Sequence, residues 1–291
     1  MFAFLIVVQL AGGAPAQSQA PLIKEAGFEI TSIADSGSYL LYRYRLVNSA
    51  QSRSGIAGIN LNLSAPAGTG LILLPSSGRM INGAAIAVGP VTDHVPVGIV
   101  SPDGWTSAVM PNAIITWYPF LGYASGKDGL AVPITGDSAP PGSAKAGFGL
   151  RSPYLPGLRR FAAEPTLGAC CAHPKPGSGE YPAQGEFRAR GSTVAPTVRP
   201  ESISVAIVQS DLEQLCGPLR WIPDAAACQR YSLALDDAAA AVSRGDTSTV
   251  KRALTTFLDA LNNHHGAGGP VSDNAYWLLK VNVEYLIAHT S

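Results

Sequence analysis

Charge is scarce in this chain and balanced. Only 14% of the 291 residues are charged, and 20 Lys and Arg stand against 20 Asp and Glu. Soluble domains average about 25% charged residues. A net charge of zero argues against nucleic acid as a partner, because phosphate backbones require a basic stripe. It argues equally against polybasic attachment to anionic lipid. Long apolar runs are missing too. Nothing approaches the roughly 18–20 apolar residues of a membrane-crossing helix, so no transmembrane span is expected.

Compact signatures of catalysis are also missing. The sequence has no G-x-S-x-G nucleophile elbow and no H-E-x-x-H zinc helix. GYASGKDG (122–129) is not a phosphate loop. The spacing between Gly122 and Gly126 is one residue short, and no Ser or Thr follows Lys127. GAGGP (266–270) has no preceding strand, as a dinucleotide site needs, and reads as a connection between helices. No catalytic residue, metal or cofactor is therefore assigned, and the balance leans away from an enzyme.

What is present starts with 46% hydrophobic residues, enough for a sizeable core, and with 31 glycines and 23 prolines. Length alone favours two domains, at roughly 100–200 residues each. The opening MFAFLIVVQL followed by AGGAPAQSQA reads as a signal peptide over residues 1–16, with an alternative cleavage after residue 20. The basic n-region of such signals is missing, since the first cation is Lys24. The expected location is secreted or extracytoplasmic, in the periplasm or at the cell surface.

Export permits disulfides. Cys216 and Cys228 flank GPLRWIPDAAA, a loop whose closure contributes about 3 kcal/mol in the chain-entropy model. Cys170 and Cys171 are adjacent, and a bond between neighbours is strained. With His173 they form C-C-x-H, which reads as oxidised structural cysteines beside an exposed imidazole rather than as a zinc or copper site.

The hydrophobic rhythm changes along the chain. Over residues 21–200, short alternating runs lie between Gly, Pro, Ser and Asn clusters. Tyr42, Tyr44 and Leu46 alternate with Arg43 and Arg45, and Ile59, Leu61 and Leu63 with Asn60 and Asn62. This period of two predicts strands with one face in a core and the other in water. Further strands are expected at 27–33, 70–74, 95–100, 113–118 and 145–152. Residues 165–190 read as a long loop, and 191–202 as the link to the next part.

From about Ser210 the period becomes helical. Ser210 and Glu213 match a capping box. ISVAIVQ (203–209) suits either a strand or an extension of the first helix. A second helix is expected from Asp224 to Arg244, stopped by Gly245. Asp246 would cap a third, with Val250, Ala253, Leu254, Phe257, Leu258 and Leu261 in one stripe. Ser272 would cap a fourth, with Ala275, Leu278, Leu279, Val283 and Leu286 on one face. The expected fold is multi-domain α+β, with an antiparallel β-sandwich over 21–200 and a small α-helical bundle over 203–291.

The strings LRWIPDAAACQRYSLALDDAAAAVSRGD, TTFLDALNNHH and VSDNAYWLLKVNVEYL resemble the FIMAH-type helical module of secreted bacterial proteins. The resemblance implies an appendage of exported hydrolases, adhesins and other surface proteins, and it carries no catalytic residues. Cys216 with Cys228 departs from its pattern. Upstream, YRYRLVN, SPDGW, AIITW and PGSAKAGFGLRSPYLPGL resemble generic exported β-sandwich domains, which implies no activity.

Binding residues are sought among the aromatics. Trp105, in the turn SPDGW, with Tyr118 and Tyr123, is the candidate exposed face for carbohydrate or protein at the cell surface. Trp117, Trp221 and Trp277 read as core. His264 and His265 read as a solvated helix end. Asp236, Asp237, Asp259 and Glu284 read as the solvent faces of amphipathic helices. The expected function is an exported, non-catalytic binding or scaffolding protein. The alternative is a secreted hydrolase with a nonstandard site in the sandwich half, near His94 and Asp93 or Asp103.

Overall fold

A computed structural model of the chain describes residues 22–66, 80–81, 84–85, 98–110, 113–119, 122–125, 131–134, 137–166 and 189–290. The signal peptide with both cleavage sites, the strand expected at 70–74, His94 with Asp93, and the group Cys170, Cys171 and His173 lie outside these residues. In chain order the first strands are β1 (Ala26–Asp35), β2 (Leu40–Asn48), β3 (Ile56–Pro66), β4 (Met80–Ile81), β5 (Ala84–Ala85) and β6 (Gly98–Val100). There follow β7 (Thr106–Met110), β8 (Ile114–Tyr118), β9 (Gly122–Ser125), β10 (Ala131–Ile134), β11 (Ala144–Ser152), β12 (Leu155–Pro165) and β13 (Ala189–Val198).

Two antiparallel sheets, β1-β2-β11-β6 and β13-β12-β3-β8-β7, form the sandwich. On β2 the alternation holds, with Tyr42, Tyr44 and Leu46 buried and Arg43 and Arg45 exposed. Between the sheets Phe28 stacks on Tyr44 at 4.7 Å, and Phe148 meets Phe28, Trp105 and Trp117 edge-on. Such ring pairs contribute about 0.5–1.5 kcal/mol beyond area burial.

Two sequence expectations for this part are corrected. Asn60 was placed in water, yet it is fully buried. It lies on β3, the middle strand of its sheet, where it donates to Glu164 Oε1 at 2.8 Å and accepts from Thr116 Oγ1 at 2.7 Å. Residues 191–198, read as a link, continue β13, with Thr193, Val194, Ala195 and Pro196 buried. β13 is an edge strand, the position in a sheet where proline is ordinarily accommodated, and Pro196 stands opposite Pro156 of β12.

Four helices follow: α1 (Val205–Cys216), α2 (Ala225–Ser243), α3 (Thr247–His264) and α4 (Asp273–His289). ISVAIVQ resolves as the start of α1, not as a strand. Ser204 caps it, and Val205, Val208, Leu212 and Leu215 form its buried stripe. The Ser210–Glu213 capping box is therefore a misreading, because both residues lie inside α1. The other starts are as read, with Asp224, Asp246 and Ser272 each accepting a backbone N–H of the first turn. Gly245, at φ +68°, follows α2, a conformation that costs a Cβ-bearing residue about 1–2 kcal/mol. The helices neighbour one another in the cycle α1-α2-α3-α4, closing on Leu235, Leu254, Phe257, Leu278 and Leu279.

The helical part packs on the sandwich through α4, which lies against β1, β12 and β13. The buried apolar cluster runs without a break through both parts. Two asparagines key the joint. Asn274 Oδ1 accepts the Ile30 N–H at 2.8 Å, and Asn282 Nδ2 donates to the Pro156 carbonyl at 3.1 Å. The first of these satisfies an outward backbone group on edge strand β1, which an open edge would leave to another chain.

Candidate functional site

The aromatic face read from the sequence is not assembled as expected. Trp105 is only 6% exposed. Its backbone N–H bonds the Pro102 carbonyl across the turn, and its Nε1 donates to the Asp137 carbonyl at 2.9 Å. The turn, with Gly104 at φ +73°, folds the indole inward onto Phe148 instead of presenting it. Trp117 is buried as read, and its Nε1 donates to the Val100 carbonyl. Tyr118 is half-buried and follows Trp117 on β8, so it faces the other side of its sheet. Tyr123 lies on β9, with its side chain outside the described residues.

A more promising place lies where the sheet edges meet the helices. β1 and β13 are the outer strands of their two sheets and run beside each other. Between their starts opens a chamber of about 490 Å³, lined among others by Lys24, Glu25, Glu29, Arg190, Ser192 and Trp221. A second chamber of about 520 Å³ lies beside it, lined among others by Arg45, His265 and Asp273. Glu29, Trp221 and Asn274 line both, so the two adjoin, and together they make up the candidate cleft.

Trp221 was read as a core residue on a helical stripe. It sits instead in the loop between α1 and α2, half-buried, with one side packed on the core. That loop is closed by the Cys216–Cys228 disulfide. Its neighbour Arg220 takes φ +52°, and the Trp221 carbonyl accepts the Ser272 N–H at 3.1 Å, tying the loop to the start of α4. Trp105 and Trp117 have their indole N–H groups satisfied. The Trp221 indole N–H has no acceptor among the described residues. Sequence reasoning missed this residue, although a tryptophan inside a cysteine-bounded loop was a usable signal.

The floor of the second chamber is a charge network. Arg45 Nε donates to Glu29 Oε2 at 2.6 Å, and Arg45 Nη2 lies 3.7 Å from Asp273 Oδ2. The His265 Nε2 lies 2.9 Å from Asp273 Oδ1, and its ring stacks on Tyr276 at 3.7 Å. The Arg45 guanidinium is held above its ordinary pKa, first by the hydrogen bond to Glu29, then by the charges of Glu29 and Asp273. These side chains are 24–45% exposed, so each pair contributes at most about 1 kcal/mol. Their role is to fix orientation.

The histidines read as a solvated helix end are half-buried and bonded, which is a correction. His264 Nδ1 lies 2.7 Å from the Tyr231 hydroxyl inside the bundle, and His265 belongs to the cleft. Asp236, Asp237, Asp259 and Glu284 are exposed, as expected. No group of three metal-ligating side chains gathers among the described residues.

One buried charged pair lies apart from the cleft, under α1. Arg159 on β12 is 5% exposed and donates to the Leu63 and Leu158 carbonyls, each at 3.0 Å. Asp211 on α1 is its electrostatic partner, and the Asp211 Oδ2 has no hydrogen-bond partner among the described residues. Burial pushes the Asp211 carboxyl up to about 7, partly opposed by Arg159, and pulls Arg159 down to about 10.

The family comparison fits this geometry. The FIMAH domain model matches residues 221–288, beginning at the cleft tryptophan and ending one residue before the end of α4. No match to a curated protein was found. The sandwich and α1 lie outside the family match, so the disulfide from Cys216 joins an added helix to the module. Trp221, helices α2 and α3 and nearly all of α4 thus match the FIMAH domain model, and they are seated on the edge of a β-sandwich.

Proposed function

We propose that the protein acts outside the cytoplasm, at the cell surface or beyond it, as a binding or scaffolding protein whose recognition surface is the cleft between the sandwich edge and the part that matches the FIMAH domain model. The observation that carries this reading is the disulfide-closed loop holding Trp221 in the cleft. Disulfides persist in oxidising compartments and are rare in the cytosol. A loop fixed at both ends and by the Ser272 N–H presents its aromatic ring with little entropy left to lose on binding, the condition for recognition without large area. No described helix is long and apolar enough to cross a membrane.

Two measurements test the reading together. In fractionated cells, the chain is expected in the extracytoplasmic fraction, with Cys216 and Cys228 resistant to maleimide until reduced. A glycan and peptide array probed with the mature protein should return saturable binding that heat denaturation abolishes. A cytosolic chain with both thiols free, or an array without a retained ligand, overturns it.

A further inference from the structure

We infer that the cleft takes a neutral, hydroxyl-rich polymer, a segment of uncharged polysaccharide, with a sugar ring lying on Trp221 and its hydroxyls reaching Arg190 and Ser192. This inference rests on the reading of the cleft as the recognition surface and adds the chemistry of what fills it. In the first chamber Lys24 and Arg190 face Glu25 and Glu29. In the second, Arg45 lies between Glu29 and Asp273. Neither sign dominates, so the walls have nothing to select an acidic or a basic ligand.

Trp221 supplies what an uncharged sugar needs, a flat apolar ring beside a polar donor. Its indole N–H, the Arg190 guanidinium and the Ser192 hydroxyl have no hydrogen-bond partners among the described residues and line the same chamber. Free donors and acceptors beside an aromatic wall match alternating ring faces and hydroxyls. Two adjoining chambers of about 490 and 520 Å³ offer more room than one compact molecule needs, which suits a chain of rings. An extended peptide is the rival polymer, and it would add to the β1 edge by main-chain bonds. That edge is blocked at Ile30, whose N–H is taken by Asn274.

The test uses the full mature chain and four neutral hexasaccharides (of glucose, mannose, xylose and N-acetylglucosamine, each β-1,4-linked). A hexamer of galacturonic acid and a set of extended peptides serve as rivals, followed by calorimetry and by tryptophan fluorescence. Trp221→Phe keeps the apolar bulk and removes the N–H. Arg190→Ala alters an exposed edge residue and leaves the fold intact, as a thermal melt verifies. The expected result is saturable binding of at least one neutral hexasaccharide, with a change in tryptophan emission, weakened about tenfold by each variant. Preference for the acidic hexamer or a peptide, with the same sensitivity to both variants, overturns the ligand class and leaves the cleft standing. Binding indifferent to both variants overturns the cleft itself. Binding of none of the probes overturns the inference.

Discussion

Asp211 and Asn274 show how single side chains set the character of the joint between sandwich and helices. Burial raises the Asp211 carboxyl to about 7 in the folded chain, against about 3.9 for an unperturbed aspartate. The folded state therefore holds a proton that the unfolded state releases. The stability linked to this proton is complete below about pH 4 and is lost as pH rises through 7. Denaturant melts at pH 5 and pH 8 should show stability falling over that interval. In Asp211→Asn the fall should shrink, and the variant should be the more stable protein at pH 8. Arg159 is the charge that opposes the shift. Asn274 acts through geometry instead. Asn274→Ala leaves the Ile30 N–H without its acceptor, at a cost of about 1–3 kcal/mol in urea unfolding. An unchanged midpoint would mean that water replaces the amide.

At the scale of elements, the disulfide decides whether α1 stays with the bundle. It closes a twelve-residue separation between α1 and the second residue pair of α2, and its loss should cost about 3 kcal/mol. The Cys216→Ser/Cys228→Ser protein is expected to melt earlier, and hydrogen exchange should quicken first in 205–222. Equal protection in both proteins would show that the apolar stripe of α1 suffices alone. The caps of α2, α3 and α4 were legible because an Asp or Ser directly precedes each apolar pattern. Asp246 shows the cost of removing charge there, since its carboxyl is held down to about 2, chiefly by its bonds with Thr249. Its contribution persists above about pH 4 and fades as pH falls toward 2. The start of α1 was illegible because Ser210 and Glu213 have capping spacing while the cap lies at Ser204. Local spacing cannot tell a start from a solvent face. β13 was missed for a related reason, as Gly191 and Pro196 are turn residues by composition, and their place in a strand is set by pairing with β12, which local sequence does not carry.

For the whole molecule, the change of period from two to 3.6 gave the order of sheets before helices, and it could go no further. The bonds that seat the helices join residues 244 and 126 positions apart in the chain, separations that carry no periodic trace. The cleft was hidden for the same reason. Glu29, Arg190 and Trp221 meet only because two sheet edges and a loop converge, while Trp105, conspicuous in its turn, folds inward. Since one apolar cluster spans both parts, they should unfold together. Hydrogen exchange of the β2, β3 and β12 amides and far-ultraviolet dichroism, dominated by the helices, should give coincident urea transitions. Two separated midpoints would show that the helices stand alone.

Both asparagines of α4 grip main chain, one an amide hydrogen and the other a carbonyl oxygen. A grip of this kind is indifferent to side-chain identity. The sandwich beneath can exchange its surface residues in evolution, so long as its strands keep their course, without unseating the helices above. One helical design could in this way ride on many different carriers.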